Sequence, residues 1–255
     1  MSDKKITLYN DDCRNVISLL KSKDVKVSCT VTSPPYDNLR DYEDSLEWSK
    51  PVWQEILKGL YDITEENGVV VWVVGDAVVN GSETGTSFKQ ALFAMQCGFK
   101  LHDTMIYQKN SSTFPARAGS NRYTQIFEYM FIFSKGSPQK NLICDKQNKW
   151  AGHKDYSGKL KNPVPEFSPR NNIWKYTTSK GNTGDHTAPF PEELVRDHIN
   201  TWCRKGGIVF DPFMGSGTSG KIAKELGFDY IGVEKVKKFY DFSAERISKV
   251  KDTLF

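Results

Sequence analysis

Residues 208–220 read Ile208-Val209-Phe210-Asp211-Pro212-Phe213-Met214-Gly215-Ser216-Gly217-Thr218-Ser219-Gly220. Three apolar residues predict a short buried strand. The glycines predict a tight turn, and the segment after them opens a helix. Glycines at 215, 217 and 220 give the spacing GxGxxG, and Glu234 follows Gly215 by 19 residues, at the end of Tyr230-Ile231-Gly232-Val233. Strand, glycine turn, helix, strand and acid make up one unit of a nucleotide- or nucleoside-binding α/β sheet. The alternative is a purely structural turn. No Lys-Ser/Thr follows the glycines, which excludes a phosphate-binding P-loop.

The rest of the chain repeats this alternation. Strands are expected at 6–10, 25–31, 68–76, 101–108 and 125–134. Helices are expected at 13–22, 51–64, 86–97, 191–204, 217–226 and 236–250, with Gly98 closing the third. This order predicts an α/β fold with a doubly wound, mostly parallel, seven-stranded Rossmann-like sheet. Between 134 and 185 the periodicity fades into Gly, Pro, Asn, Ser and Lys with Trp150, Tyr156, Phe167, Trp174 and Tyr176 among them. That stretch reads as an ordered but irregular basic insert.

A chain of 255 residues with 38% hydrophobic and 26% charged content is long enough for a large core. Its five cysteines form no CxxC pair, so neither a disulfide framework nor a metal site is expected. No membrane span and no apolar leader are visible, so the chain reads as cytoplasmic with reduced thiols. The net charge of +4 hides an asymmetry: thirteen Lys and Arg but four Asp and Glu lie in residues 104–182. Such a segment suits a polyanion, although a solvated lysine-rich loop would look the same.

Two cofactor classes fit the glycine turn, a dinucleotide such as NAD and S-adenosyl-L-methionine. Asp211 before the turn would repel a pyrophosphate but accept from an α-ammonium, which favours the second. At the end of the strand 25–31 stands Thr32-Ser33-Pro34-Pro35-Tyr36. Two prolines fix φ and remove two donors, so the turn presents the Ser33 hydroxyl and the Pro34 carbonyl beside an aromatic face. An acceptor pair beside an aromatic plate suits a stacked base with an exocyclic amine, whose lone pair is delocalised until its N–H groups are bound.

The TSPPY and DPFMGSGT segments together resemble the DNA amino-methyltransferases, which act on N4 of cytosine or N6 of adenine. The catalytic turn precedes the cofactor turn with a basic region between, the order of the β-type group. The resemblance covers roughly 6–134 and 186–250. It implies a catalytic domain of residues 1–134 and 186–255 and a target-recognition insert of residues 135–185. It also implies catalytic roles for Ser33, Pro34, Pro35 and Tyr36, and cofactor roles for Asp12, Asp211, Phe213, Gly215, Ser216, Gly217, Thr218 and Glu234. Asp12 would serve the adenine and Glu234 the ribose, with an N-cap as the alternative for Asp12. The segment His186-Thr187-Ala188-Pro189-Phe190-Pro191 resembles the family motif over the methionine moiety. Met105-Ile106-Tyr107-Gln108-Lys109-Asn110 resembles the one beside the target base, with packing in the sheet as the alternative for Tyr107. Ser33 in place of the commoner Asp is the pattern of N4-cytosine enzymes, with N6-adenine as the near alternative. The implied partner is double-stranded DNA, and a homodimer and a cognate restriction endonuclease stay open. An NAD-dependent oxidoreductase, which leaves SPPY without a role, and a non-catalytic DNA-binding module are the remote alternatives.

Overall fold

The computed structural model describes residues 4–35, 48–110, 119, 121–154, 162–177 and 191–251. The first half runs β1 (Ile6–Tyr9), α1 (Cys13–Ser22), β2 (Val27–Thr32), α2 (Lys50–Ile63), β3 (Thr64–Val74), β4 (Val78–Val79), β5 (Ser82–Glu83) and α3 (Thr86–Gln96). Then come β6 (Lys100–Lys109), β7 (Phe127–Ser134), β8 (Lys146–Gln147), β9 (Phe167–Ser168) and β10 (Ile173–Tyr176). The chain closes with α4 (Glu192–Trp202), β11 (Ile208–Asp211), α5 (Thr218–Glu225), β12 (Asp229–Val233) and α6 (Lys237–Ser248).

The main sheet has the order β1-β12-β11-β2-β3-β7-β6-β10. Every neighbouring pair is parallel except those made by β7, which is antiparallel to both β3 and β6. The reason is legible in β3. Its residues 69–74 are all buried, with Val70, Trp72 and Val74 in one core and Val69, Val71 and Val73 in the other. A strand covered on both faces must lie inside a sheet with helices on each side. The first core receives Val16, Ile17 and Leu20 of α1 and Ile56, Leu57 and Leu60 of α2. The second receives Leu194, Ile199 and Trp202 of α4 and Ile222 of α5. Where α1 crosses α2, a Cβ on Gly59 would stand 2.5 Å from Cγ2 of Ile17, so only glycine admits that approach. Gly98, at φ +112°, ends α3 as the sequence predicts.

The sheet has eight strands among the described residues, not the expected seven. The eighth, β10, comes from the stretch read as an irregular insert and pairs in parallel with β6, Trp174 opposite Tyr107. Its four residues alternate exposed and buried, so Trp174 and Tyr176 reach the core while Lys175 faces out. A period of two over four residues is too short to stand out in a polar stretch. The rest of the insert includes a small two-stranded sheet, Lys146 paired with Ser168 and Gln147 with Phe167.

Candidate active site

The carboxyl ends of β1, β12, β11 and β2 lie side by side, and the glycine turn and the Ser-Pro-Pro turn leave from adjacent strands. In an open α/β sheet this edge is where ligands bind. Asn10 joins the outer strands there, its amide donating to the carbonyls of Glu234 at 2.9 Å and Lys235 at 3.0 Å.

Asp211 ends β11 fully buried. It accepts from the Thr32 hydroxyl at 2.7 Å, the Phe213 amide at 3.0 Å and the Ser219 hydroxyl at 2.5 Å. Loss of solvent outweighs these bonds and, with the nearby Glu234 charge, pushes its carboxyl up to about 6. Glu234 accepts from the Gly215 amide and from the Val236 amide, each at 2.9 Å. Burial raises its carboxyl as well. The Glu234 carboxylate keeps acceptor capacity for an incoming hydroxyl.

Gly215, at φ +50°, and Gly217, at φ +76°, take the left-handed conformation that the turn needs. Gly217 and Gly220 also set helix packing. A Cβ at 217 would meet Cβ of Ser243 at 2.8 Å, and one at 220 would meet Cδ1 of Ile247 at 2.5 Å. Ser216 and Thr218 are buried, and Arg246 of α6 donates to the Ser216 carbonyl at 2.9 Å and to the Thr218 hydroxyl at 3.2 Å. The same guanidinium reaches Glu192 at 2.8 Å. Phe213 is half-buried and meets Trp48 edge-on at 5.7 Å, with Trp72 beyond it at 6.4 Å. The Trp48 indole N–H is buried without a hydrogen-bond partner among the described residues.

Asp12 caps α1, accepting from the Arg14 amide at 3.0 Å and from its guanidinium at 3.0 and 2.9 Å. Those guanidinium bonds hold its carboxyl below the ordinary range. The N-cap alternative is therefore what the geometry displays. Ser33 and Pro35 are half-buried at the end of β2, and Pro34 is buried. Tyr36 and residues 186–190 lie outside the described residues, while Pro191 sits at the N-terminus of α4. Tyr107 packs in the sheet core, its hydroxyl buried without a partner among the described residues and pushed upward by loss of solvent.

The buried acids, the glycine turn and the proline turn thus occupy one edge. A model of the N6/N4 DNA methylase family matches residues 27–245. The chain belongs to this DNA methylase family. Among relatives of the methylase, an orphan methyltransferase, M.BamHII of Bacillus amyloliquefaciens, is 47% identical over 88% of this chain and 89% of its own length. The type II methyltransferase M.SmaI of Serratia marcescens is 25% identical over 92% of this chain and 88% of its own. The PvuII DNA methyltransferase, a cytosine-N4-specific enzyme, superposes at a TM-score of 0.72 and 18% identity, over 100% of this chain and 89% of that one. The complex of M1.HpyAVI with its bound cofactor SAM superposes at 0.62 and 23% identity, over 95% of this chain and 99% of that one.

In this methylase the Ser-Pro-Pro turn precedes the glycine turn, the β-type order. Thr32, Trp48 and Arg246 stand in the site unforeseen by sequence reading. Thr32 precedes the Ser-Pro-Pro turn and carried a signal; Trp48 and Arg246 carried none, because their contacts are with residues far along the chain. Arg170 and Asn172 make their contacts within the protein. Arg170 pairs with Asp145 at 2.5 Å and Asp197 at 2.7 Å, and the Asn172 amide donates to the Thr104 carbonyl at 3.1 Å. Among the described residues no helix is long and apolar enough to cross a membrane, and no cluster of His, Cys, Asp and Glu could hold a metal.

Proposed function

We propose that this methylase transfers a methyl group from S-adenosyl-L-methionine to the exocyclic N4 of cytosine within a specific site of duplex DNA. The observation that carries the choice of cofactor is the pair of buried acids at one turn, Asp211 and Glu234, both pushed upward by burial, with the Glu234 charge adding to the effect on Asp211. A pyrophosphate would add negative charge there. A cationic cofactor offsets the repulsion, and ribose hydroxyls find the spare lone pairs of Glu234.

The residues fit that cofactor. Glu234 would hold the ribose, Phe213 would offer an aromatic face, and Ser216, Gly217 and Thr218 would line the amino-acid end. Asp12, already engaged by Arg14, would add an acid on the adenine side. When bound, the cofactor supplies an electrophilic methyl carbon on its sulfonium. Ser33 Oγ and the Pro34 carbonyl accept from the target amine and restore lone-pair density on its nitrogen. Tyr36 stacks the base once it is flipped from the duplex, a step that costs a few kcal/mol. No covalent adduct with the protein is required. The insert 135–185 faces double-stranded DNA and contacts its phosphates and bases.

The choice of cytosine rests on Ser33, since a hydroxyl stands where adenine enzymes commonly carry an acid. The test is to methylate plasmid DNA with the purified protein and sequence it by a method that separates 4-methylcytosine from 6-methyladenine. N4-methylcytosine at one sequence is the expected product, and 6-methyladenine overturns the cytosine assignment. Ser33→Ala and Tyr36→Ala should abolish most transfer while cofactor binding persists.

A further inference from the structure

Of the six tryptophans in the chain, Trp48, Trp53, Trp72, Trp174 and Trp202 are buried, whereas Trp150 is 69% exposed. Its position is well braced. The Asn148 amide donates to the Glu166 carbonyl at 2.9 Å, the Gly152 amide to Val164 at 2.9 Å, and the Val164 amide to His153 at 2.9 Å. The Asn148 side chain donates to the Pro165 carbonyl at 2.8 Å. The His153 amide closes the turn onto the Trp150 carbonyl at 3.1 Å, and the His153 ring meets the indole edge-on at 5.9 Å. A rigid tip therefore holds out the largest apolar side chain available, at a place where water gains nothing from it.

The surroundings specify what could cover it. Residues 140–161 carry six lysines against Asp145 and Asp155, and Asp145 is already paired with Arg170. Lys146, Lys149 and Lys154 are exposed. An apolar protein surface would gain little from those charges, while a nucleic acid offers phosphates to the lysines and flat bases to the indole.

We propose that Trp150 is a wedge whose indole stacks between bases of the bound duplex, lowering the cost of unstacking the target. This rests on the reading that the insert faces DNA. Phosphate contacts by the lysines would hold the duplex against the tip, and stacking on the indole would replace part of the stacking that base flipping removes.

The test compares wild type, Trp150→Ala and Trp150→Phe in methyl transfer to a duplex oligonucleotide bearing the sequence that the wild type methylates. A second duplex carries a mismatch at the target pair, where the unstacking cost is already low. Trp150→Ala should lose about tenfold to a hundredfold on the matched duplex, the range of one base–aromatic stack. On the mismatched duplex most of that loss should vanish, and Trp150→Phe should keep most of the wild-type rate on both. Equal losses on the two duplexes, or no loss on either, would overturn the wedge while leaving the methyltransferase reading intact. A wild type that methylates no sequence in plasmid DNA would overturn that reading and the wedge together. Cofactor affinity and melting temperature should match wild type in both variants.

Discussion

The Thr32 hydroxyl donates to Asp211 at 2.7 Å across 179 positions of sequence. This bond ties the strand that leads into the Ser-Pro-Pro turn to the strand that leads into the glycine turn at one buried point. β11 and β2 are adjacent and parallel, which places the two residues at neighbouring strand ends.

Thr32→Val keeps the shape of the side chain and removes the donor. Asp211 would lose one of its three partners inside the core. The variant should be less stable by about 1–3 kcal/mol, the cost of an unmet bond to a buried charged group. Urea denaturation measures this directly. An unchanged midpoint would show that Thr32 contributes packing alone.

Asp211 also sets a pH dependence. Its carboxyl ionises near 6 in the folded protein, against an ordinary 3.8. Between those values the folded chain keeps a proton that the unfolded chain has released. The stabilisation is complete below about pH 4 and is lost as pH rises through about 6, by up to roughly 3 kcal/mol. The stability of wild type relative to Asp211→Asn should therefore fall across pH 4–6 and then level off. Saturating S-adenosyl-L-methionine should move that window to lower pH, because a nearby cation favours the carboxylate.

Glu234→Ala leaves the Gly215 and Val236 amides without their acceptor and removes the acid proposed above to hold the ribose. Cofactor affinity by calorimetry should fall by at least tenfold, since charge-assisted bonds contribute about 1.5–3 kcal/mol each. DNA affinity should change much less. The opposite ranking would place the ribose elsewhere.

Binding of duplex DNA should weaken steeply with salt. Replacing Lys146, Lys149 and Lys154 together by Gln should lower the slope of log K against log salt by about 2 to 3, at roughly 0.9 per phosphate contact. The loss should be similar for all sequences, because such contacts carry no base information. Fluorescence anisotropy over a salt series reads both quantities, and an unaltered slope would remove these lysines from the interface.

Arg170 joins Asp145, Asp197 and the face of Trp174, whose ring lies 5.3 Å from the guanidinium carbon. Tyr176 donates to the same Asp197 oxygen at 2.7 Å. Arg170→Ala should therefore lower the melting temperature by several degrees, with an order of magnitude of 1–3 kcal/mol. The methylated sequence should stay the same. A relaxed sequence choice at unchanged stability would place Arg170 at the bases and not in the fold.

Much of the fold was legible along the chain. The burial of residues 69–74 of β3 appears as an unbroken apolar run and that of β2 as an apolar and β-branched run broken only by Ser28, and helix periodicity marked the six helices of the described residues to within a few positions. Local chemistry sufficed for these because each element's neighbours lie one turn or two residues away. The glycine turn, Glu234 and the Ser-Pro-Pro turn were likewise visible, since their spacing is a local constraint of backbone conformation. Tertiary structure alone decided the rest. It made Asp211 a buried acid held by Thr32 and Ser219. It gave both carboxylate oxygens of Asp12 to Arg14, brought Arg246 onto Ser216 and Thr218, and added β10 to the sheet edge. Each of these depends on which distant groups share a low-dielectric space. Spacing along the chain does not encode that quantity, because desolvation and hydrogen bonding are settled only when strands far apart in sequence lie side by side.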